Sequence, residues 1–185
     1  AVREFAASGG KGLNITLPHK EAAFELANEL GPEAKKAKAV NTLSILSPTE
    51  IRGDNTDGIG FLRDLTENNG LRLKNKSVLI LGAGGAARGI IPPLMESNIG
   101  ELALANRTIQ RANTLADTFS TTDRICVYSF EKLHEIQPYD VVINATSAGI
   151  KGESFEFPSN IISPDTFCYD LSYGLTQTPF VTWAY

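Results

Sequence analysis

The stretch "SVLILGAGGAARG", Ser77 to Gly89, narrows the folds open to this chain more than any other. Val78 to Leu81 form an unbroken apolar run with no polar alternation. Such a strand has both faces buried, as in a parallel sheet. The run stops at glycines and gives way to small residues that open a helix. Gly82, Gly84 and Ala87 stand in G-x-G-x-x-A spacing. That spacing alone is a weak signal, but strand, turn and helix in this order are its confirming context. Gly82 permits the tight turn. Gly84 lets the backbone approach a pyrophosphate, and Ala87 allows close packing of helix on strand. The helix N-terminus then faces the anion. Dinucleotide binding is the better reading; the alternative is a glycine-rich structural turn.

Four more short strands follow. They are "ELALANR" (101–107), "RICVYS" (124–129), "YDVVINATSAG" (139–149) and "TFCYDLSYG" (166–174). "TIQRANTLADTFS" between the first two reads as a helix. Strands alternating with helices predict an α/β fold: a Rossmann-type doubly wound parallel sheet with helices on both faces. We place it at residues 71–185. Residues 1–70 read as part of a smaller α/β domain. There the pattern predicts a strand over Leu13–Leu17 ending at Pro18. A helix follows over His19–Leu30, with Phe24, Ala27 and Leu30 at helical spacing, stopped by Gly31 and Pro32. Residues 39–55 read as a hairpin around "SPTE". Thr56 is a candidate N-cap for a second helix whose apolar face is Ile59, Phe61, Leu62 and Leu65. Asn68, Asn69 and Gly70 end it.

The chain has 185 residues, enough for one good core or one domain and part of another. A net charge of −4 argues against a broad grip on nucleic acid. No apolar run is long enough to span a bilayer, and no signal peptide opens the sequence. Cys126 and Cys168 match no metal spacing and sit in apolar strand-like runs. They read as free, structural thiols in a reducing compartment, and the expected location is cytoplasmic. No metal is expected.

The end of the second strand separates two cofactors. An NAD site usually carries an Asp or Glu there to hold the ribose hydroxyls. This sequence has Asn106, Arg107, Thr108 and Arg111 instead. A guanidinium pairs with a 2′-phosphate, which an acid would repel. Two arginines in the first turn of a helix oppose the macrodipole, and an anionic ligand offsets that cost. NADP(H) is therefore favoured over NAD.

A nicotinamide enzyme that reduces a carbonyl needs a proton donor near the oxygen. The first domain offers His19, Lys20, Asp54 and Asp57. A lysine paired with a carboxylate can give a proton to a developing alkoxide. A surface lysine and a helix N-terminal carboxylate are the plain alternatives for Lys20 and Asp57, and spacing alone does not join them.

"NITLPHKE", "AVNTL", "GDNTDG", "GAGGAARG", "NRT" with a later "RA", "INATSAG" and "YDLSYGLTQTPF" occur in the order and spacing of the shikimate dehydrogenases. The chain resembles that family along essentially its whole length, and the NADP-dependent bacterial members most. The resemblance implies reversible reduction of 3-dehydroshikimate to shikimate in aromatic amino-acid biosynthesis. By position, Lys20 matches the catalytic lysine and Asp57 its partner aspartate. Thr16, Asn41, Asp57 and Tyr173 match substrate-binding positions. Gly82, Ala83, Gly84, Gly85 and Ala86 match the phosphate loop. Asn106, Arg107, Thr108 and Arg111 match the 2′-phosphate site. Thr146, Ser147 and Leu171 match the nicotinamide side. His19 is expected to pack or to support the site. The expected partner is a small molecule, with neither nucleic acid nor membrane, and a homodimer is an admissible assembly.

The family opens with a strand and a serine-containing "SxSP" loop, and closes with helices that carry a glutamine to the substrate. This sequence, which lacks an initiating methionine, begins after the first and ends before the second. It is expected to be a fragment that binds cofactor and turns over poorly. Three alternatives stand beside this reading. One is a quinate/shikimate enzyme using NAD, opposed by Asn106 and Arg107. Another is a glutamyl-tRNA reductase, opposed by the lack of any cysteine before Cys126. The third is an inactive cofactor-binding fragment.

Overall fold

The computed structural model describes residues 1–119, 125–146, 157–174 and 176–185. They form two compact units. The first holds Ala1–Leu71 together with Arg88–Pro93; the second holds Arg72–Ala87 and Leu94–Tyr185.

In the first unit the order is α1 (Val2–Ala7), β1 (Gly12–Asn14), α2 (Lys20–Leu26), β2 (Glu29–Leu30), α3 (Pro32–Ala37), β3 (Thr42–Ser47), β4 (Glu50–Asp54) and α4 (Asp57–Arg63). The sheet runs β1-β3-β4-β2, antiparallel except for the β2–β4 pair. Ala23, Ala34, Val40, Leu43 and Ile51 make its core.

The hairpin stands as β3 and β4, but four expectations need correction here. The first strand is shorter than Leu13–Leu17. Ile15 still donates to the Asn41 carbonyl at 2.6 Å, but the Thr16 carbonyl accepts from the His19 amide, so the chain turns away. The helix expected to reach Leu30 ends at Leu26, and Ala27 is already extended (ψ 136°). Asn28 explains why. Its N–H donates to the Ile51 carbonyl (2.8 Å) and its Oδ1 accepts from the Ile51 amide (3.0 Å), which draws the next two residues alongside β4. Ala27 and Leu30 keep an apolar role in extended conformation. They lie against Gly53, where a Cβ would come within 2.6 Å of Val40, 3.0 Å of Ala27 and 3.3 Å of Leu30. Gly31 and Pro32 therefore stop no helix. They start α3, with Pro32 in the first turn, where its missing N–H costs nothing. In α4, Phe61 and the following Leu65 are buried, but Ile59 is 53% exposed and does not join the apolar face. Thr56 holds the N-cap position without a side-chain cap bond. The helix continues as a π-helical turn over Asp64–Asn68.

The second unit contains β5 (Ser77–Leu81), α5 (Gly85–Glu96), β6 (Glu101–Asn106), α6 (Ile109–Phe119), β7 (Cys126–Ser129), β8 (Val141–Asn144), β9 (Phe167–Asp170) and α7 (Pro179–Ala184). Residues 88–93 of α5 group with the first unit. The five strands form one parallel sheet in the order β7-β6-β5-β8-β9, flanked by helices, as expected. Val78 to Leu81 are fully buried, which explains the unbroken apolar run. The strand order reverses between β5 and β8, where such sheets open a ligand crevice at the carboxyl ends of the strands. At the opposite ends, Asp140 accepts from the Lys76 ammonium (2.6 Å) and from the Ser77 amide and hydroxyl (both 2.9 Å). Those bonds, the lysine's first, hold the Asp140 carboxyl below its usual pKa.

Candidate functional site

The first site assembles around α4. The Lys20 ammonium, at the start of α2, donates to Asp57 Oδ2 at 2.7 Å. Both are part-buried, with side-chain exposures of 12% and 27%. Asp57 opens α4 because Asn55 makes the turn before it: Asn55 Oδ1 accepts from the Asp57 amide (3.0 Å), and its amide donates to the Ala39 carbonyl (3.0 Å). Asn41, just before β3, braces the pair. Its Nδ2 donates to Asp57 Oδ1 (2.8 Å) and Thr56 Oγ1 (2.9 Å), while its Oδ1 accepts from the Thr56 amide (3.1 Å) and the Thr42 hydroxyl (2.9 Å). Both amide hydrogens of Asn41 are thus engaged within the protein. The Val40 amide donates to the Lys20 carbonyl (2.9 Å), tying the segment before Asn41 to the start of α2. The arrangement offers one cation held on one carboxylate, with the carboxylate's second oxygen fixed.

Other candidates from this unit go elsewhere. Asp54 pairs with Arg52 (3.1 Å) and joins neither Lys20 nor Asp57 in a hydrogen bond. Thr16 is exposed, and so is His19, which therefore does not pack.

In the second unit the glycine turn behaves as its spacing demands. Gly82 has φ +113°, and a Cβ there would lie 2.8 Å from the Ala145 carbonyl oxygen. Only glycine satisfies both limits. A Cβ on Gly84 would meet nothing within 4 Å, so open space lies before α5. Gly84 is the N-cap and offers no side-chain acceptor, which leaves that helix end suited to an anion. Ala83 lies in the turn, Gly85 and Ala86 open α5, and Ala87 is fully buried. At the end of β6, Asn106 Nδ2 donates to the Thr108 carbonyl (2.8 Å). Arg107, Thr108 and Arg111 are exposed. The helix begins at Ile109, so only Arg111 lies in its first turn and Arg107 precedes it. The turn and the two arginines fit a dinucleotide with a 2′-phosphate.

At the ends of β8 and β9, Asn144 is buried and faces Asp170 in register. Asn144 Nδ2 donates to Asp170 Oδ1 (2.9 Å), and Asn144 Oδ1 accepts from the Thr146 hydroxyl (2.7 Å) and amide (3.1 Å). The Leu171 amide donates to the Asn144 carbonyl at 3.0 Å. Tyr173 is 97% exposed. Ser147 lies outside the described residues.

Two family models match this sequence: the shikimate dehydrogenase substrate binding domain over residues 1–43, and shikimate/quinate 5-dehydrogenase over residues 64–151. A shikimate dehydrogenase (NADP(+)) of Alkalilimnicola ehrlichii is 49% identical over 184 residues, covering all of this chain and 67% of that protein. The chain belongs to the shikimate dehydrogenase family. It spans about two thirds of the length of its curated relatives, 65% for that of Xanthomonas campestris. Two solved structures share its fold. Shikimate 5-dehydrogenase of Thermus thermophilus, in complex with NADP(H) and shikimate, is 34% identical with a TM-score of 0.79, over 99% of this chain and 66% of that one. Quinate dehydrogenase of Corynebacterium glutamicum, in complex with NAD, is 28% identical with a TM-score of 0.80, over 100% and 68%.

The site roles of several further positions do not follow from the sequence pattern. Asn55 turns the chain into Asp57, Thr56 and Thr42 bond to Asn41 behind the pair, and Asn144, Asp170 and Thr178 form a second network. Asn55 had a signal, since "DNTD" is a polar run at the end of a strand, where Asn makes a turn with the amide two residues on. Asn144 and Asp170 end their strands in the same way. Their pairing across β8 and β9 depends on register, which "INATSAG" and "YDLSYG" do not state.

Proposed function

We propose that this chain carries the proton-transfer and cofactor-binding parts of an enzyme that reversibly reduces 3-dehydroshikimate to shikimate with NADP(H). Residues 1–70 are its substrate-binding and catalytic part; residues 71–185 bind NADP(H). The single observation that carries the reading is the Lys20–Asp57 pair at 2.7 Å, braced by Asn41.

Bound NADPH supplies the hydride. The chain's own residues do the rest. Lys20, as the ammonium, donates a proton to the oxygen of the ketone as negative charge develops there. In the oxidation direction its neutral amine accepts that proton. Asp57 keeps the ammonium oriented and presents a carboxylate edge to a substrate hydroxyl. Asn41 keeps Asp57 from rotating, because a turned carboxylate would leave one Asn41 amide hydrogen unpaired. Thr16 and Tyr173, both exposed, are proposed substrate contacts. The turn from Gly82 to Ala86 holds the pyrophosphate, and Arg107 and Arg111, with Asn106 and Thr108, hold the 2′-phosphate. Thr146, Ser147 and Leu171 flank the nicotinamide.

The quinate dehydrogenase in complex with NAD suggests the obvious second reading, but here the second strand ends in Asn106 and is followed by Arg107, with no carboxylate at either position. No helix among the described residues is long and apolar enough to cross a membrane. We extend the proposal to a cytoplasmic enzyme and to a homodimer, which light scattering checks. The test of the function is NADP+-dependent oxidation of shikimate by the gene product that carries this sequence, with NADPH and NADH titrated in parallel by nicotinamide fluorescence. Shikimate oxidation with clear NADP preference is expected. A folded protein that binds neither cofactor, or prefers NADH, rejects the reading.

A further inference from the structure

Asn144 and Asp170 stand opposite each other at the carboxyl ends of adjacent parallel strands. Each makes the same local turn. Asn144 Oδ1 accepts from the amide two residues on, Thr146 (3.1 Å), and Asp170 Oδ1 accepts from the amide two residues on, Ser172 (2.9 Å). The two side chains are then joined by the Asn144 Nδ2 bond to Asp170 Oδ1 (2.9 Å). The second carboxylate oxygen of Asp170 accepts from the Thr178 hydroxyl, and Thr178 accepts in turn from the Val181 amide (3.3 Å) as the N-cap of α7. The Ser172 hydroxyl reaches back to the Thr146 carbonyl at 3.4 Å. One pair, a buried asparagine and a half-buried aspartate, thus fixes two strand exits and the start of a helix.

The position of this network gives it a role beyond packing. Ala145 follows Asn144 directly. Its amide donates to the Leu81 carbonyl (2.8 Å). A Cβ on Gly82 would lie 2.8 Å from the Ala145 oxygen and 3.1 Å from the Thr146 nitrogen. The exit of β8 is therefore packed on the glycine turn at the point where the strand order reverses. Thr146 spends its hydroxyl on Asn144 (2.7 Å), so that side chain is fixed from behind. Asn144 is itself buried, at 4% exposure.

We propose that Asn144 and Asp170 are positioning residues that set the β8 and β9 exits, with Thr146 and Leu171 on them, for the nicotinamide half of the cofactor. The inference rests on the cofactor reading above. The adenosine half is held elsewhere in the chain, at Arg107 and Arg111, so the pair should act on one half of the ligand only.

That split is the test. Two probes are titrated against the wild type, Asn144→Asp, Asp170→Asn and the double exchange. NADPH carries both halves; adenosine 2′,5′-bisphosphate carries the 2′-phosphate but no nicotinamide. Asn144→Asp sets two carboxylates against each other in place of a donor and an acceptor. It is expected to weaken NADPH roughly tenfold or more, the cost of a lost charge-assisted bond, and to leave the bisphosphate unchanged. The double exchange restores a donor facing a carboxylate and is expected to recover most of the NADPH affinity. If Asn144→Asp does not melt cooperatively, Thr178→Val reads the same split with a smaller loss. Equal weakening of both probes, or no rescue by the exchange in folded protein, overturns the inference. A folded wild type that ignores both probes instead rejects the cofactor reading on which it stands.

Discussion

Asn41 in the first unit and Asn144 in the second make nearly the same set of bonds. Each is buried, at 7% and 4% exposure. Each donates to one oxygen of an aspartate, Asp57 or Asp170, and each Oδ1 accepts from a backbone amide and a threonine hydroxyl. What differs is the aspartate's other oxygen. On Asp57 it accepts from the Lys20 ammonium, while on Asp170 it accepts from the hydroxyl that caps α7. The first network ends in a group that can give up a proton. The second ends in a group that can only hold a chain in place. In the roles proposed above, one brace serves chemistry in one unit and geometry in the other, and the partner of the second oxygen decides which.

Breaking the two aspartates should separate these roles. Asp57→Asn keeps the shape but removes the charge opposite Lys20. We expect turnover to fall by roughly two to four orders of magnitude, the range for losing acid–base assistance, in steady-state shikimate oxidation. Asp170→Asn keeps acceptors for Asn144 and Ser172, so its effect on turnover should be far smaller. Equal losses would erase the distinction. Next in size is the double replacement Arg107→Ala with Arg111→Ala. It should weaken NADPH by roughly one to two orders of magnitude, for lost bonds to a charged group, and leave NADH almost unchanged in the same fluorescence titration. Thr178→Ala removes the cap of α7 and should cost about 1 kcal/mol in denaturant melts with no change in the pH dependence of turnover.

The smallest effect concerns Asp140. Its pKa is lowered in the folded state, chiefly by the Lys76 bond. A lowered carboxylate pKa contributes stability that is present above the unfolded value and is lost as pH falls through the folded one. Asp140→Asn should therefore flatten the acid side of a melting-temperature profile slightly, because the carboxylate is 38% exposed and screened by solvent. Cys168 works at the other end of the scale. Burial pushes its thiol up, so its contribution is full below the unfolded pKa and fades above it.

Much of this was legible in the sequence where the constraint is local. The glycine turn is an example, since tight turn, close approach and helix start all act within six residues, Gly82 to Ala87. The parallel sheet followed from apolar runs that need cover on both faces. The first unit was less legible because long-range bonds override local pattern. Asn28 is captured by Ile51, 23 residues away, and converts the end of a helical repeat into an edge strand. Ile59 fits the helical spacing, yet that face of α4 stays exposed. In the site itself, Lys20 and Asp57 could be named, but their contact spans 37 residues and no spacing states it. The Asn144–Asp170 pair was hidden for the same reason, because strand register is a property of the sheet.

The most direct test of the central claim, that Lys20 is the proton donor, is single-turnover oxidation of shikimate by the wild-type gene product and by Lys20→Met, at saturating NADP+. The methionine keeps an unbranched chain without the amine. Loss of the chemical step by roughly two orders of magnitude or more is expected, with the affinity for NADPH unchanged. A Lys20→Met enzyme that oxidises shikimate at the wild-type rate would contradict it.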